Sequence, residues 1–314
     1  MKKVFKANLY FLIILLLEIF LPFFLQPVYK SLGISDIRMV LLLTHVITFL
    51  IPAIIYVIVT KSSVRDTFKL KKLYFKDILL IILLGFVSQP IMTFFSLITS
   101  FFFNNEVGAF MTEILSTPYL ILLMLVAVLP AITEEVTIRG VILSGYDNTN
   151  KYKAALITGL FFGMLHLDPQ QFLYATVLGF ILALVVRSTK SIFSAAIIHF
   201  LINGTSITMQ KLLSIIPGNK ELIEEATEMS LKSLPINEKL VMVAVYGSIA
   251  IVCASFVFLI IRKLERWNIE RGVIEREEYR GYDEEKIINW PFIGCIVVYI
   301  IFMSISIIAK YKVG

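Results

Sequence analysis

Long apolar segments recur along the whole chain, and short polar segments separate them. Nine of these segments approach the length of about 20 residues that a helix needs to cross the hydrocarbon core of a bilayer. Because a spanning segment must bond its own backbone groups, each is predicted to be helical. The predicted spans are residues 9–26, 39–59, 78–103, 118–146, 153–166, 170–186, 192–209, 240–261 and 292–309. The pattern predicts an all-α, polytopic transmembrane bundle of about eight or nine helices.

Composition excludes the soluble function classes. Of the 314 residues, 58% are hydrophobic and only 17% are charged, and the mean hydropathy is +0.86, which a soluble domain of this length does not reach. The chain has no phosphate-binding or dinucleotide-binding loop, and Cys253 and Cys295 lack metal-ligand spacing. We therefore treat residues 1–314 as a single integral membrane domain without a nucleic-acid partner.

The distribution of Lys and Arg predicts the orientation in the membrane. With the N-terminus inside, 20 of the 29 basic residues fall on its side, including Lys2, Lys3, Lys6 and seven residues between Arg262 and Lys286. Basic segments stay on the cytoplasmic side, so the N-terminus is predicted to be cytoplasmic. The Lys-, Ile- and Phe-rich composition is typical of AT-rich bacterial genomes, which favours a bacterial plasma membrane.

Polar residues within the spans are few and are the candidates for chemistry. Such residues are costly in a bilayer and usually face the bundle interior or a water-filled cavity. They are Glu134, Glu135 and Arg139 in the fourth span, His166 at the end of the fifth, and His199 with Asn203 in the seventh. Glu135 and Arg139 are four residues apart and can pair, while Glu134 is turned about 100° away.

These groups are predicted to lie at similar depth. At about 1.5 Å of rise per residue, Glu134 lies about 18 Å from the basic end of its helix, His166 about 20 Å, and His199 and Asn203 about 14 and 20 Å. The agreement favours one buried site formed by three helices. A purely structural alternative is an ion pair between helices with hydrogen bonds that join them.

Three ordered motifs resemble those of a known family. They are E-E-x-x-x-R in "EEVTIR" (134–139), F-x-x-x-H in "FGMLH" (162–166) and H-x-x-x-N in "HFLIN" (199–203). In this order they resemble the CPBP (CAAX protease and bacteriocin-processing, or Abi) intramembrane proteases, which include type II CAAX endopeptidase-like members. The resemblance covers a catalytic core at residues 118–205, with flanking membrane helices at 1–117 and 210–314.

The resemblance implies an intramembrane endopeptidase acting on CAAX-like, pheromone or bacteriocin-type peptides. Glu134 would activate water as the general base, and His166 would help to hold that water. His199 and Asn203 would donate hydrogen bonds to the oxyanion. Glu135, Arg139 and Phe162 would support these groups. No residue distinguishes prenylated from unprenylated substrates, and nothing in the sequence indicates an oligomeric state.

Three alternatives stay open at this point. Glu134, His166 and His199 are the residue types of a three-ligand zinc site, although H-E-x-x-H is absent, and we favour a mechanism without a metal or another cofactor. A non-enzymatic bacteriocin-immunity or scaffold protein would keep the same residues for structure. A proton-coupled carrier also uses buried Glu and His, but here they cluster at one depth. Glu18 and His45, in the first two spans, are expected to have packing or hydrogen-bonding roles.

Overall fold

The structure, a computed structural model, describes residues 2–216, 231–275 and 285–313. Lys220 and residues 276–284, which contributed to the predicted orientation, lie outside the described residues. Within the described ranges the secondary structure is helical and contains no strand. The predicted all-α membrane bundle is confirmed, because eight helices are long and apolar enough to cross a bilayer.

The longer helices follow the predicted spans closely. In chain order they are α1 (Lys3–Ser31), α2 (Ile37–Thr60), α3 (Phe75–Ser100), α4 (Glu106–Ile114), α5 (Tyr119–Gly145), α6 (Lys151–Leu165), α7 (Pro169–Thr189), α8 (Ile192–Ile215), α9 (Ile236–Glu270) and α10 (Trp290–Val313). A short helix, Val64–Thr67, lies between α2 and α3, and a 3-10 turn, Leu231–Ser233, precedes α9.

The fifth predicted span differs from the others. Helix α6 has 15 residues, so it is about 22 Å long and shorter than the hydrocarbon core. Nine of those residues are buried, and α6 packs most extensively against α7. A Cβ atom at Gly179 would lie 2.8 Å from the Gly159 Cα, so the two helices approach closely only because both positions are glycine.

Ionic contacts join the helices at the end of the bundle that contains Lys3, called the Lys3 end here. The Lys69 ammonium lies 2.7 Å from the Asp147 carboxylate, and the Arg271 guanidinium lies 2.8 Å from that of Asp77. Burial disfavours the charged form of Asp147, but Lys69, Lys190 and Arg187 outweigh this effect and lower the pKa of its carboxyl below the usual value. Lys69 and Asp147 lie in segments between the candidate spans, where a charge is less costly than within an apolar helix.

The Lys3 end is predicted to face the cytoplasm, and cysteine labelling tests this. Leu70 and Asn104 are exposed at opposite ends of α3. In a background without Cys253 and Cys295, we expect Asn104→Cys to react with an impermeant maleimide in intact bacterial cells. Leu70→Cys should react only after permeabilisation. The reverse labelling at both positions would invert the orientation.

Candidate active site

Helix α5 is irregular on both sides of the acidic pair. Met124–Val128 and Val136–Ile142 are π-helical, and they flank an α-helical segment, Leu129–Glu135. Pro130 has no N–H to donate to the Val126 carbonyl, which an α-helix would require at this position. In the π-helical turn before it, the Leu129 N–H donates to the Met124 carbonyl, five residues earlier. Interruptions of this kind are frequent at functional sites.

A buried ion pair forms the centre of the site. The Arg139 guanidinium donates to Glu135 Oε1 at 2.9 Å, and both residues are fully buried. This confirms the i,i+4 pairing predicted from the sequence. Arg139 also donates to the Gly179 carbonyl on α7 at 3.3 Å. One guanidinium therefore joins α5 to α7 while neutralising a carboxylate.

Phe162 occupies the space between the charged groups. The Arg139 guanidinium lies 4.3 Å from the centre of the Phe162 ring, a cation–π distance. The ring centres of His166 and His199 lie 5.0 and 5.7 Å from that of Phe162, each edge to face. The first residue of the F-x-x-x-H motif thus contacts one residue from each of the three motifs.

His199 lies between the two carboxylates. Its Nδ1 atom is 2.9 Å from Glu135 Oε1, and its Nε2 atom is 3.9 Å from Glu134 Oε2. An ionised carboxylate can only accept a hydrogen bond. His199 Nδ1 therefore carries a hydrogen and donates a hydrogen bond to Glu135. The Nε2 atom is left to face Glu134.

Glu134 has the least satisfied carboxylate of the site. Only 12% of its side chain is exposed, and Oε2 is buried without a hydrogen-bond partner in the described part of the chain. Its neighbour Glu135 is bonded to both Arg139 and His199. The two adjacent carboxylates therefore differ in role, since one is held in a network and the other is available for chemistry.

His166 directly follows the last residue of α6 and begins a sharp turn. The next residue, Leu167, has φ of +48°, a left-handed conformation that is uncommon for a residue other than glycine. The His166 Nδ1 atom lies 2.8 Å from the Phe162 carbonyl and must donate to it, because a carbonyl only accepts. In a neutral imidazole this leaves Nε2 as an acceptor.

Asn203 makes a contact that the motif did not predict. Its Nδ2 atom donates to the Val126 carbonyl at 3.1 Å, which is the carbonyl that Pro130 leaves without a helical donor. Asn203 therefore stabilises the irregular segment of α5. The Asn203 amide has a second N–H, which can donate to another acceptor.

The third histidine of the chain also reaches this region, from α2. His45 Nδ1 lies 3.2 Å from Thr133 Oγ1, one residue before Glu134. The Thr133 hydroxyl already donates to the Leu129 carbonyl, so its oxygen accepts from His45. His45 could be recognised in the sequence as a polar residue within an apolar span. Its partner, Thr133, could not be predicted, because the contact depends on how the helices pack. The expected hydrogen-bonding role of His45 matches this contact.

The zinc alternative requires three ligands that lie close together. No three of the described His, Cys, Asp and Glu side chains are grouped closely enough to hold a metal ion. Two of the suggested zinc ligands, His166 and His199, use Nδ1 in hydrogen bonds to a carbonyl and a carboxylate, which leaves Nε2 of each as the nitrogen that could bind a metal. The observed arrangement is one of two hydrogen-bonded imidazoles near Glu134, whose Oε2 has no hydrogen-bond partner in the described part of the chain.

Comparison with known proteins confirms the resemblance of the motif region. Residues 116–205 match the family described as "Type II CAAX prenyl endopeptidase Rce1-like". The chain is 28% identical over 129 residues to the Bacillus subtilis (strain 168) protein named "Putative membrane peptidase YdiL", which covers 41% of this chain. The chain spans about half the length of this curated relative, 50%. No solved structure matches the chain significantly.

Proposed function

We propose that this protein is an intramembrane endopeptidase and that residues 118–205 form its catalytic core. The observation that carries the proposal is the carboxylate of Glu134, whose buried Oε2 has no hydrogen-bond partner among the described residues and lies beside the His199–Glu135–Arg139 network. A free carboxylate in an apolar bundle is costly unless it has a use. The match of residues 116–205 to a peptidase family supports hydrolysis of a peptide bond as that use.

Glu134 acts as the general base in this proposal. Its carboxylate takes one proton from a water molecule, and His166 Nε2 accepts a hydrogen bond from the other. With both hydrogens directed to acceptors, a lone pair of the water faces the scissile carbonyl carbon. The C–O bond forms as the carbonyl π electrons move to oxygen. When the C–N bond breaks, the proton held by Glu134 passes to the leaving amine.

His199 and Asn203 stabilise the oxyanion in this scheme. The His199 Nδ1–H is already used on Glu135, so Nε2 can donate only when the imidazole carries two protons. Asn203 would contribute the amide N–H that does not bond to Val126. Fixed donors aimed at a developing charge contribute most where water is excluded.

A cleavage assay tests the proposed function. Purified protein would be incubated with CAAX-like, pheromone-type and bacteriocin-type peptides in H2¹⁸O, and products would be identified by mass spectrometry. We expect cleavage at one bond, with ¹⁸O in the new carboxylate. Glu134→Gln is the inactive control. If the parent forms no more product than Glu134→Gln, the result would contradict the proposal and favour a scaffold, immunity or carrier role.

The same assay examines metal dependence. We expect cleavage to persist after treatment with a zinc chelator, because the carboxylate itself activates water in this scheme. Metal analysis of the active protein should find well below one zinc per chain. Activity that is lost on chelation and restored by zinc would establish the metal-dependent alternative through Glu134, His166 and His199.

A further inference from the structure

The end of α1 that is opposite Lys3 lies outside the packed part of the bundle. Helix α1 has 29 residues, so it is about 43 Å long and longer than the hydrocarbon core. After Ile19, its only buried residue is Tyr29. The side chains of Phe23 and Phe24 are each 70% exposed. Lipid chains therefore surround this part of α1, and its last turn reaches the headgroup layer.

A groove between α1 and α2 opens at this end of the bundle. Its volume is about 580 Å³. A hydrogen bond joins its two walls, since the hydroxyl oxygens of Tyr29 and Thr44 are 3.3 Å apart. Pro22 and Phe23 are among the apolar side chains of the lining, and Lys30 is the cation among the polar ones. The groove is therefore a cavity with fixed walls and a mixed lining.

The apolar and polar parts of the lining lie at different depths. Lys30 is seven residues after Phe23 on the same helix, so it lies about 10 Å farther from the hydrocarbon core. Gln26, which also lines the groove, is between them. The groove thus offers apolar surface at the depth of lipid chains, and N–H donors with a positive charge at the depth of headgroups. A matching occupant is amphipathic and has an anionic head.

Lys30 provides a positive charge that no acidic side chain offsets among the described residues. It is exposed and belongs to none of the ion pairs in the described part of the chain. The acidic residue nearest to it in sequence, Asp36, is bound to Arg38, with 2.8 Å between Asp36 Oδ1 and Arg38 Nε. A basic side chain at a bilayer surface attracts anionic lipids.

The position of the groove favours a lipid over a soluble anion or a bound peptide. Gly145 of α5 packs against Ala7 of α1, since an added Cβ at Gly145 would lie 2.5 Å from the Ala7 Cβ. Counting residues from this contact places Lys30 about 18 Å beyond Glu134 along the bundle. The groove is therefore separate from the candidate active site. Lipid already surrounds the groove, at a concentration that a soluble anion does not reach.

We propose that this groove is a binding site for an anionic phospholipid. The phosphate of the lipid contacts the Lys30 ammonium, and one of its acyl chains lies along Phe23. The Gln26 amide can donate a second hydrogen bond to a phosphate oxygen beside the lysine. The site selects lipids by headgroup charge, and it does not depend on the proposed peptidase activity.

A tryptophan placed in the groove tests this site directly. Phe23→Trp, in a background with Trp267→Phe and Trp290→Phe, would report contact with lipids whose brominated chains quench tryptophan fluorescence. The protein would be reconstituted in vesicles of phosphatidylglycerol and phosphatidylcholine, with bromine on one lipid at a time. We expect the binding constant from quenching to be about fivefold higher for phosphatidylglycerol, the contribution of one lysine near an anionic headgroup.

Variants of Lys30 separate the charge from the shape of the groove. Lys30→Gln should abolish the preference for phosphatidylglycerol, whereas Lys30→Arg should keep it. The matched control is Phe86→Trp in the same background, because Phe86 is exposed on α3 outside the groove. That reporter should be quenched equally by the two lipids.

Three outcomes would overturn the proposal. The first is equal quenching of the Phe23→Trp protein by both lipids, or a preference that survives Lys30→Gln. The second is loss of the preference on addition of inorganic phosphate at constant ionic strength, which would assign the groove to a soluble anion. The third is displacement of the brominated lipid by an apolar peptide with a free carboxyl terminus but not by its amide, which would assign the groove to a peptide.

Discussion

Glu134→Gln is expected to abolish peptide cleavage while the helix bundle stays folded. Glutamine keeps the shape of the side chain but cannot take a proton from water. General-base catalysis contributes about 10² to 10⁴ to rate, so turnover should fall to background. The melting temperature should stay constant or rise, because the change removes a buried carboxylate whose Oε2 has no partner in the described structure. Turnover and thermal unfolding in detergent would be measured in parallel.

Asn203→Ala provides the contrast to that result. Loss of one oxyanion donor typically costs about 10² to 10³ in turnover, so measurable activity should remain. Unlike Glu134→Gln, this variant should also lose stability, since Asn203 bonds to the carbonyl that Pro130 leaves free. If Glu134→Gln cleaves as fast as the parent, then Glu134 is not the base.

Glu135→Gln is expected to cause the largest loss of stability. The change leaves the fully buried Arg139 guanidinium without its neutralising carboxylate. Removing one member of a buried ion pair typically costs about 3–5 kcal/mol. His199 loses its charged acceptor in the same variant, so activity should fall with stability. Unfolding would be followed by differential scanning fluorimetry, with Glu113→Gln as the exposed control.

A second substitution distinguishes an unpaired charge from a general packing defect. Arg139→Met removes the guanidinium and replaces it with an apolar side chain. The double variant Glu135→Gln/Arg139→Met should be more stable than Glu135→Gln alone, because no uncompensated charge remains. Additive losses would contradict this explanation. A Glu135→Gln protein that is as stable as the parent yet inactive would identify Glu135 as the critical carboxylate.

The membrane bundle and the identity of its polar residues could be predicted from the sequence. Apolar segments near 20 residues must become helices in lipid, because each must satisfy its own backbone. The Glu135–Arg139 pair is equally local, since a four-residue separation places two side chains on one face of a helix. These predictions depend on distances along a single helix, and such distances follow from residue number.

Contacts between helices were beyond that kind of prediction. The resemblance implies that His199 and Asn203 donate to the oxyanion, but the bonds that they make to Glu135 and to Val126 could not be predicted from the sequence. The Val126 contact depends on the carbonyl that Pro130 leaves free and on the packing of α8 against the irregular part of α5. The sequence predicts α6, which has 15 residues, as a membrane span like the others. Composition alone does not distinguish a segment that is buried inside a bundle from one that faces lipid.

Helical periodicity alone thus determined which side chains share a face, and hydropathy determined which segments enter the membrane. Tertiary structure decided which faces meet. It placed His45 against Thr133 and His199 against Glu135, across helices that lie far apart in the chain. The physical reason is that lipid surrounds all apolar faces alike, so the pairing of helices is set by close packing at small residues and by a few buried polar contacts, which exist only once the bundle has assembled.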